Sequence, residues 1–286
     1  MSEVQIGKVK LSYEVRGHGS PVVNINGTGG SAELWWQLGL GQKLLDAGYQ
    51  VIAFNNRGIP PSDVPPPPYI VSQMAQDAIG LLEHLDRAPY TLMGSSLGGL
   101  ITQTVTLQRS DLVHVAVFNS GCGNFSAFIR PFFRSMVELL EKGNPPHSVI
   151  TALVLPIFIP PTQWANNTAV EEALKIIPAS LPKDTVGLLG QYHANLLWSK
   201  EDHVEELTNL KMPALAIANE YDMIFPPALV KEAASRMSKG EYVEILGAAH
   251  GSFNPNHQKQ RDSAILHFLS RHTPTGIGRS TSCELT

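Results

Sequence analysis

The chain has 286 residues, 43% of them hydrophobic and 16% charged, with a formal net charge of -4. That length supports one large domain with a substantial core, and the weakly acidic balance lacks the clustered Lys and Arg that phosphate backbones require, which excludes nucleic acid as a partner. Two cysteines, Cys122 and Cys283, make neither a disulfide framework nor a zinc-type spacing, so no metal or other cofactor is expected and the compartment reads as reducing.

The first residues carry no basic segment followed by an apolar one, so the expected location is cytoplasmic. Residues 9–15 alternate with period two and predict an antiparallel opening strand, closed by Gly17-His18-Gly19. Short apolar runs at 21–25, 49–54, 90–93 and 113–118 read as strands buried on both faces, with helical patterns at 34–47, 71–85 and 97–108 between them. Such alternation predicts a mostly parallel sheet covered by helices on both sides. From 124 to 205 only helical periodicity and prolines occur, which predicts a helical cap inserted into a core of 1–123 and 206–272. Its longest apolar stretch, 149–160, contains Pro156 and is shorter than the roughly 20 residues of a membrane span, so it reads as a buried cap helix. Strands at 213–218 and 242–246 flank a helix at 227–237; a last helix covers 257–271, and 273–286 reads as a disordered polar tail. The proline run at 65–68 reads as a stiff surface or rim loop in preference to a polyproline ligand.

Gly94-Ser95-Ser96-Leu97-Gly98 follows a predicted strand and opens a predicted helix. A nucleophile at such a sharp turn projects above the sheet, and glycines two positions either side remove side chains that would collide there. This frame centres on Ser96, not on the neighbouring Ser95. A serine hydroxyl needs a base, and among the ten histidines His250 lies just after the last strand, between small residues. Asp222, after the strand before it, is placed to orient the imidazole; Glu220 is the alternative acid. The developing oxyanion needs donors, expected from the backbone amides of Leu97 and of Thr28 in the glycine-rich run 26–30.

Together these residues resemble the α/β-hydrolase superfamily, specifically its capped esterase, lactonase and cofactor-free haloperoxidase branch, over nearly the whole chain to about residue 271. The resemblance implies an eight-stranded-type sheet with a cap, the triad order Ser96, Asp222, His250, and the tryptophan of the first helix, Trp35 or Trp36, near the site. Two family loops are altered: Asn26 stands where histidine is usual and Asn55 where aspartate is usual. Haloalkane dehalogenases and epoxide hydrolases of this fold use an aspartate nucleophile, so serine at 96 disfavours their chemistry.

The expected function is hydrolysis of a carboxylic ester, lactone or thioester of a largely apolar small molecule, with Trp35, Phe128, Phe132, Ile157 and Trp198 as pocket candidates. Alternatives are a C–C bond-cleaving or otherwise non-hydrolytic enzyme of small-molecule biosynthesis, and a ligand-binding pseudoenzyme. The expected partner is the small-molecule substrate, and a homodimer stays open.

Overall fold

The computed structural model describes residues 1–251 and 254–274. Eight strands form one sheet in the order β1-β2-β4-β3-β5-β6-β7-β8. They are β1 (Ser2–Ile6), β2 (Val9–Arg16), β3 (Pro21–Ile25), β4 (Gln50–Phe54), β5 (Tyr90–Ser95), β6 (Val113–Asn119), β7 (Ala214–Asn219) and β8 (Gly240–Ile245). β1 and β2 pair antiparallel and β2 joins β4 antiparallel, while β3 to β8 are parallel. The opening strand of the sequence analysis is therefore the second: β1 precedes it, exposed along most of its length at the sheet edge.

Burial on both faces follows from strict alternation. Val22, Val51, Val115, Val117, Leu215 and Ile217 enter one apolar cluster, with α1 (Ala32–Gln37), α2 (Leu40–Asp46) and α10 (Pro255–His272). Val23, Ile52, Ala116, Phe118, Ala214 and Ala216 enter the other, with α3 (Val71–Leu85) and α4 (Leu97–Gln108). The single helix expected over 34–47 is broken into α1 and α2, because Gly39 adopts φ 80, a left-handed conformation that ends one helix and redirects the next.

Between β6 and β7 the described chain holds no strand. Four helices, α5 (Arg130–Glu141), α6 (His147–Phe158), α7 (Asn167–Ser180) and α8 (Val186–Trp198), occupy that interval, and α9 (Pro227–Arg236) follows β7. Two residues assigned to the tail are anchored instead: Thr273 Oγ1 meets Thr91 Oγ1 at 3.1 Å, and the Pro274 carbonyl accepts from Ser20 Oγ. The rest of the expected tail, 275–286, lies outside the described residues.

Candidate active site

The C-terminal ends of the parallel strands converge on one place. β5 runs into α4 through Ser96, which has φ 52 and ψ -122, a sparsely populated conformation for a residue with a side chain, costing about 1–3 kcal/mol. Packing enforces it: a Cβ at Gly98 would stand 1.9 Å from the Ile25 carbonyl oxygen, so only glycine lets α4 start this close to β3. The result lifts Ser96 Oγ above the sheet, where it lies 2.9 Å from His250 Nε2. His250 Nδ1 is 2.8 Å from Asp222 Oδ2. Asp222 is fully buried at its side chain, and its other oxygen accepts from the amides of Ile224 (2.8 Å) and Phe225 (3.0 Å). Those two bonds fix the carboxylate so that one oxygen faces the imidazole.

The rivals have other partners. Glu220 accepts from the Gly247 amide at 2.7 Å, bracing the loop that carries His250. Ser95 Oγ accepts from Asn119 Nδ2 at 3.1 Å. His114 is on β6, His84 touches Tyr13, His193 sits near Glu141 at 3.6 Å, and His203 stacks on Trp198. The buried Cys122 thiol, pushed up to about 12 by desolvation, is outside the site.

Over Ser96 passes the loop 26–30. A Cβ on Gly27 would stand 3.0 Å from Ser96 Cβ, so the loop lies in contact with Ser96. The Gly29 amide donates to Gln191 Oε1 (2.8 Å) and the Gly30 amide to the Gly27 carbonyl (3.1 Å), whereas no bond within the described residues takes the Thr28 amide. The Leu97 amide is the first of α4 and has no intrahelical acceptor. These are the two amides expected as donors.

Both altered loops are closed by amide side chains. Asn26 accepts from Asn24 Nδ2 (3.0 Å) and donates to the Ser31 carbonyl (3.0 Å). Asn55 Oδ1 accepts from the Ala32 amide (2.7 Å), while its Nδ2 donates to Ser12 Oγ and the Pro60 carbonyl, each at 3.1 Å. An aspartate there would set an oxygen against the Pro60 carbonyl, so asparagine suits this network.

A cavity of about 210 Å³ opens at Ser96, lined mostly by apolar residues. Trp35, Phe132 and Ile157 line it as expected. Trp36 does not: the Arg16 guanidinium covers its ring at 3.9 Å and its indole N–H bonds Glu14. Two candidates are placed elsewhere. Phe128 is 75% exposed, because it stands in a 3-10 turn (Ala127–Ile129) before α5 and does not share that helix's inward face. Trp198 donates its indole N–H to the Gly123 carbonyl at 3.0 Å, closing the junction where the helical segment leaves the sheet. The proline run 65–68 also stays off the cavity.

Residues that sequence reasoning missed lie on α8. Gly187, Gly190, Gln191 and Asn195 share one face: a Cβ at Gly187 would sit 1.9 Å from the Gly58 carbonyl oxygen, Gln191 Nε2 donates to the Arg57 carbonyl (3.0 Å), and Asn195 Nδ2 donates to Thr28 Oγ1 (2.8 Å). Arg57 is itself fixed by Asp77, whose carboxyl burial raises and Arg57 lowers in pKa, with desolvation the larger effect. Tyr192, on α8 and lining the cavity, has its phenol pushed up by burial and stays a neutral donor. Small and amide residues spaced by three and four in an otherwise apolar helix were the available signal.

A family model described as the alpha/beta hydrolase fold matches residues 20–168. The chain belongs to the α/β-hydrolase family. It is 30% identical over 264 residues, 92% of this chain and 98% of the relative, to a Mycobacterium tuberculosis protein named as the non-heme bromoperoxidase BpoC. The crystal structure of BpoC superposes with a TM-score of 0.84 at 27% identity, covering 92% of this chain and 97% of that one. A Caulobacter segnis protein named as the carbamate hydrolase RutD is 26% identical over 273 residues, 91% of this chain and 96% of the relative. Among the described residues no helix is long and apolar enough to cross a membrane.

Proposed function

We propose that the protein is a serine hydrolase that cleaves a small, largely apolar carboxylic ester, lactone or thioester through an acyl-Ser96 intermediate. The observation that carries this reading is the unbroken relay Ser96 Oγ, His250, Asp222, with links of 2.9 and 2.8 Å. His250 Nε2 takes the Ser96 proton as Oγ attacks the carbonyl carbon, and Asp222 stabilises the imidazolium through Nδ1. The oxyanion of the tetrahedral intermediate is met by the Leu97 and Thr28 amides, each such donor being worth about 3–4 kcal/mol in a transition state. His250 then returns the proton to the leaving alcohol or thiol, and water repeats the sequence to release the acid and free Ser96. The name of the carbamate hydrolase relative fits the same scheme, because a carbamate carbonyl also takes a nucleophile and expels a leaving group.

Cavity size supports a compact substrate: about 210 Å³ lies below the usual range of drug-sized pockets. Hydrolysis of p-nitrophenyl acetate, butanoate and octanoate tests both points. Expected are turnover of the short esters, a steep fall in kcat/KM at octanoate, and a loss of about 10⁴-fold or more in His250→Ala. Turnover that survives in His250→Ala counts against the relay, and equal turnover of octanoate counts against the size limit.

A further inference from the structure

The cavity extends beyond the space bounded by α5 to α8. Trp35, Leu40, Met93, Val117 and Ile265 line it too, and these belong to the apolar cluster on the opposite face of the sheet. It thus has two arms, one against the cap helices and one against α1, α2 and α10, with Ser96 among its lining residues. Arg261 of α10 also lines the cavity, and every other described lining residue except His250 is apolar, a glycine, or a neutral amide, hydroxyl or phenol. Arg261 therefore brings the one permanent charge to this lining.

That charge is not cancelled. Arg261 Nε and Nη2 bond Asp262 Oδ1 at 2.9 and 2.7 Å, but Asp262 Oδ2 is already held by Lys43 Nζ at 2.7 Å. One carboxylate faces two cations, which leaves an excess of one positive charge. Nη1 of Arg261 makes no bond within the described residues. Nor does the Arg261–Asp262 contact fasten the fold, since it joins sequence neighbours; Lys43 already ties α2 to α10 through Asp262. A half-satisfied guanidinium in a mostly apolar enclosure is costly until an anion completes it. Asn119 and Arg261 line one adjoining recess, and the Asn119 amide bonds Ser95 at one end while its Oδ1 is buried without a partner. A serine hydroxyl bonds either end of an amide, so exchanging the two ends offers a carboxylate the NH₂ group.

We propose that the arm against α1 and α10 binds a carboxylate through Arg261, so that the substrates are small esters or thioesters bearing a carboxylate on the part that enters this arm. Turnover of such a compound rests on the serine-hydrolase reading; its binding does not. The test uses Ser96→Ala, which holds an ester uncleaved, with monomethyl glutarate and dimethyl glutarate titrated by calorimetry. Expected is a preference of about 10-fold or more for the hemi-ester, falling to within about 3-fold in Ser96→Ala/Arg261→Gln and to an intermediate value in Ser96→Ala/Arg261→Lys. Should the glutamine variant fail to fold, Ser96→Ala/Lys43→Met supplies the comparison: it leaves Asp262 to Arg261 alone and is expected to lower the preference by about 2- to 5-fold. Equal binding of the two esters, no binding of the hemi-ester, or a preference untouched in these variants overturns the proposal. A hemi-ester preference without turnover of any ester by the native protein overturns the hydrolase reading and leaves the carboxylate site standing.

Discussion

Asp222 does two things with its two oxygens: one receives the amides of Ile224 and Phe225, and the other faces His250 Nδ1. Asp222→Asn preserves the first role through its amide oxygen but turns an NH₂ group toward the imidazole, which forces the tautomer that cannot take the Ser96 proton. Expected is a drop of about 10³- to 10⁴-fold in kcat with an unfolding midpoint within a few degrees of the native one, read from ester hydrolysis and thermal scans on the same preparation. A second residue is expected to contribute to acid stability. His114, on β6, has its pKa lowered mainly by burial, against a smaller opposing contribution from a backbone bond to Tyr90, and its Nδ1 is buried without a partner. The unfolded chain therefore binds this proton more readily than the folded one, so the stabilisation is full above the unfolded value of about 6.5 and shrinks as pH falls below it. His114→Gln is expected to flatten the loss of stability between about pH 7 and pH 5, measured as urea midpoints at both; an unchanged slope contradicts the assignment. That Ser96, Asp222 and His250 meet was legible because each lies within a few residues of a predicted strand end, and parallel strands bring those ends together. Arg261 was not, since helical periodicity on α10 does not reveal which turn faces a cavity on the far side of the sheet.

α8 ties the helices between β6 and β7 to the loops at the strand ends. Gln191 is wholly buried and joins two core loops at once, accepting from the Gly29 amide and donating to the Arg57 carbonyl. Gln191→Leu leaves both partners buried and unpaired, a cost of about 1–3 kcal/mol for each. Because the Gly29 amide adjoins Thr28, the same change is expected to lower kcat as well as the unfolding midpoint. A variant with native kcat would show that α8 does not position the loop over Ser96. α6 contributes from the other side, its Ile157 carbonyl accepting from the His250 amide at 3.1 Å. Most elements were readable from period: the alternating strands and the long apolar helices lie close to where the pattern put them. Misreadings have local causes. Phe128 was grouped with Phe132 as a pocket candidate, but the chain is still in a 3-10 turn there, and the run 34–47 looked continuous because its periodicity carries through the break at Gly39. Contacts such as Gln191 with Arg57, 134 residues apart, depend on how the insertion folds back over the sheet, which no local pattern encodes.

At the scale of the molecule, one sheet presents its strand ends to two groups of helices, and the cavity runs between them past Ser96. Everything proposed about catalysis depends on that serine being the group that attacks. Intact-mass analysis after treatment with a fluorophosphonate, followed by peptide mapping, measures this directly. The account predicts one adduct, located on Ser96, absent in Ser96→Ala and strongly slowed in His250→Ala; an adduct on another residue, or equal labelling of Ser96→Ala, contradicts it.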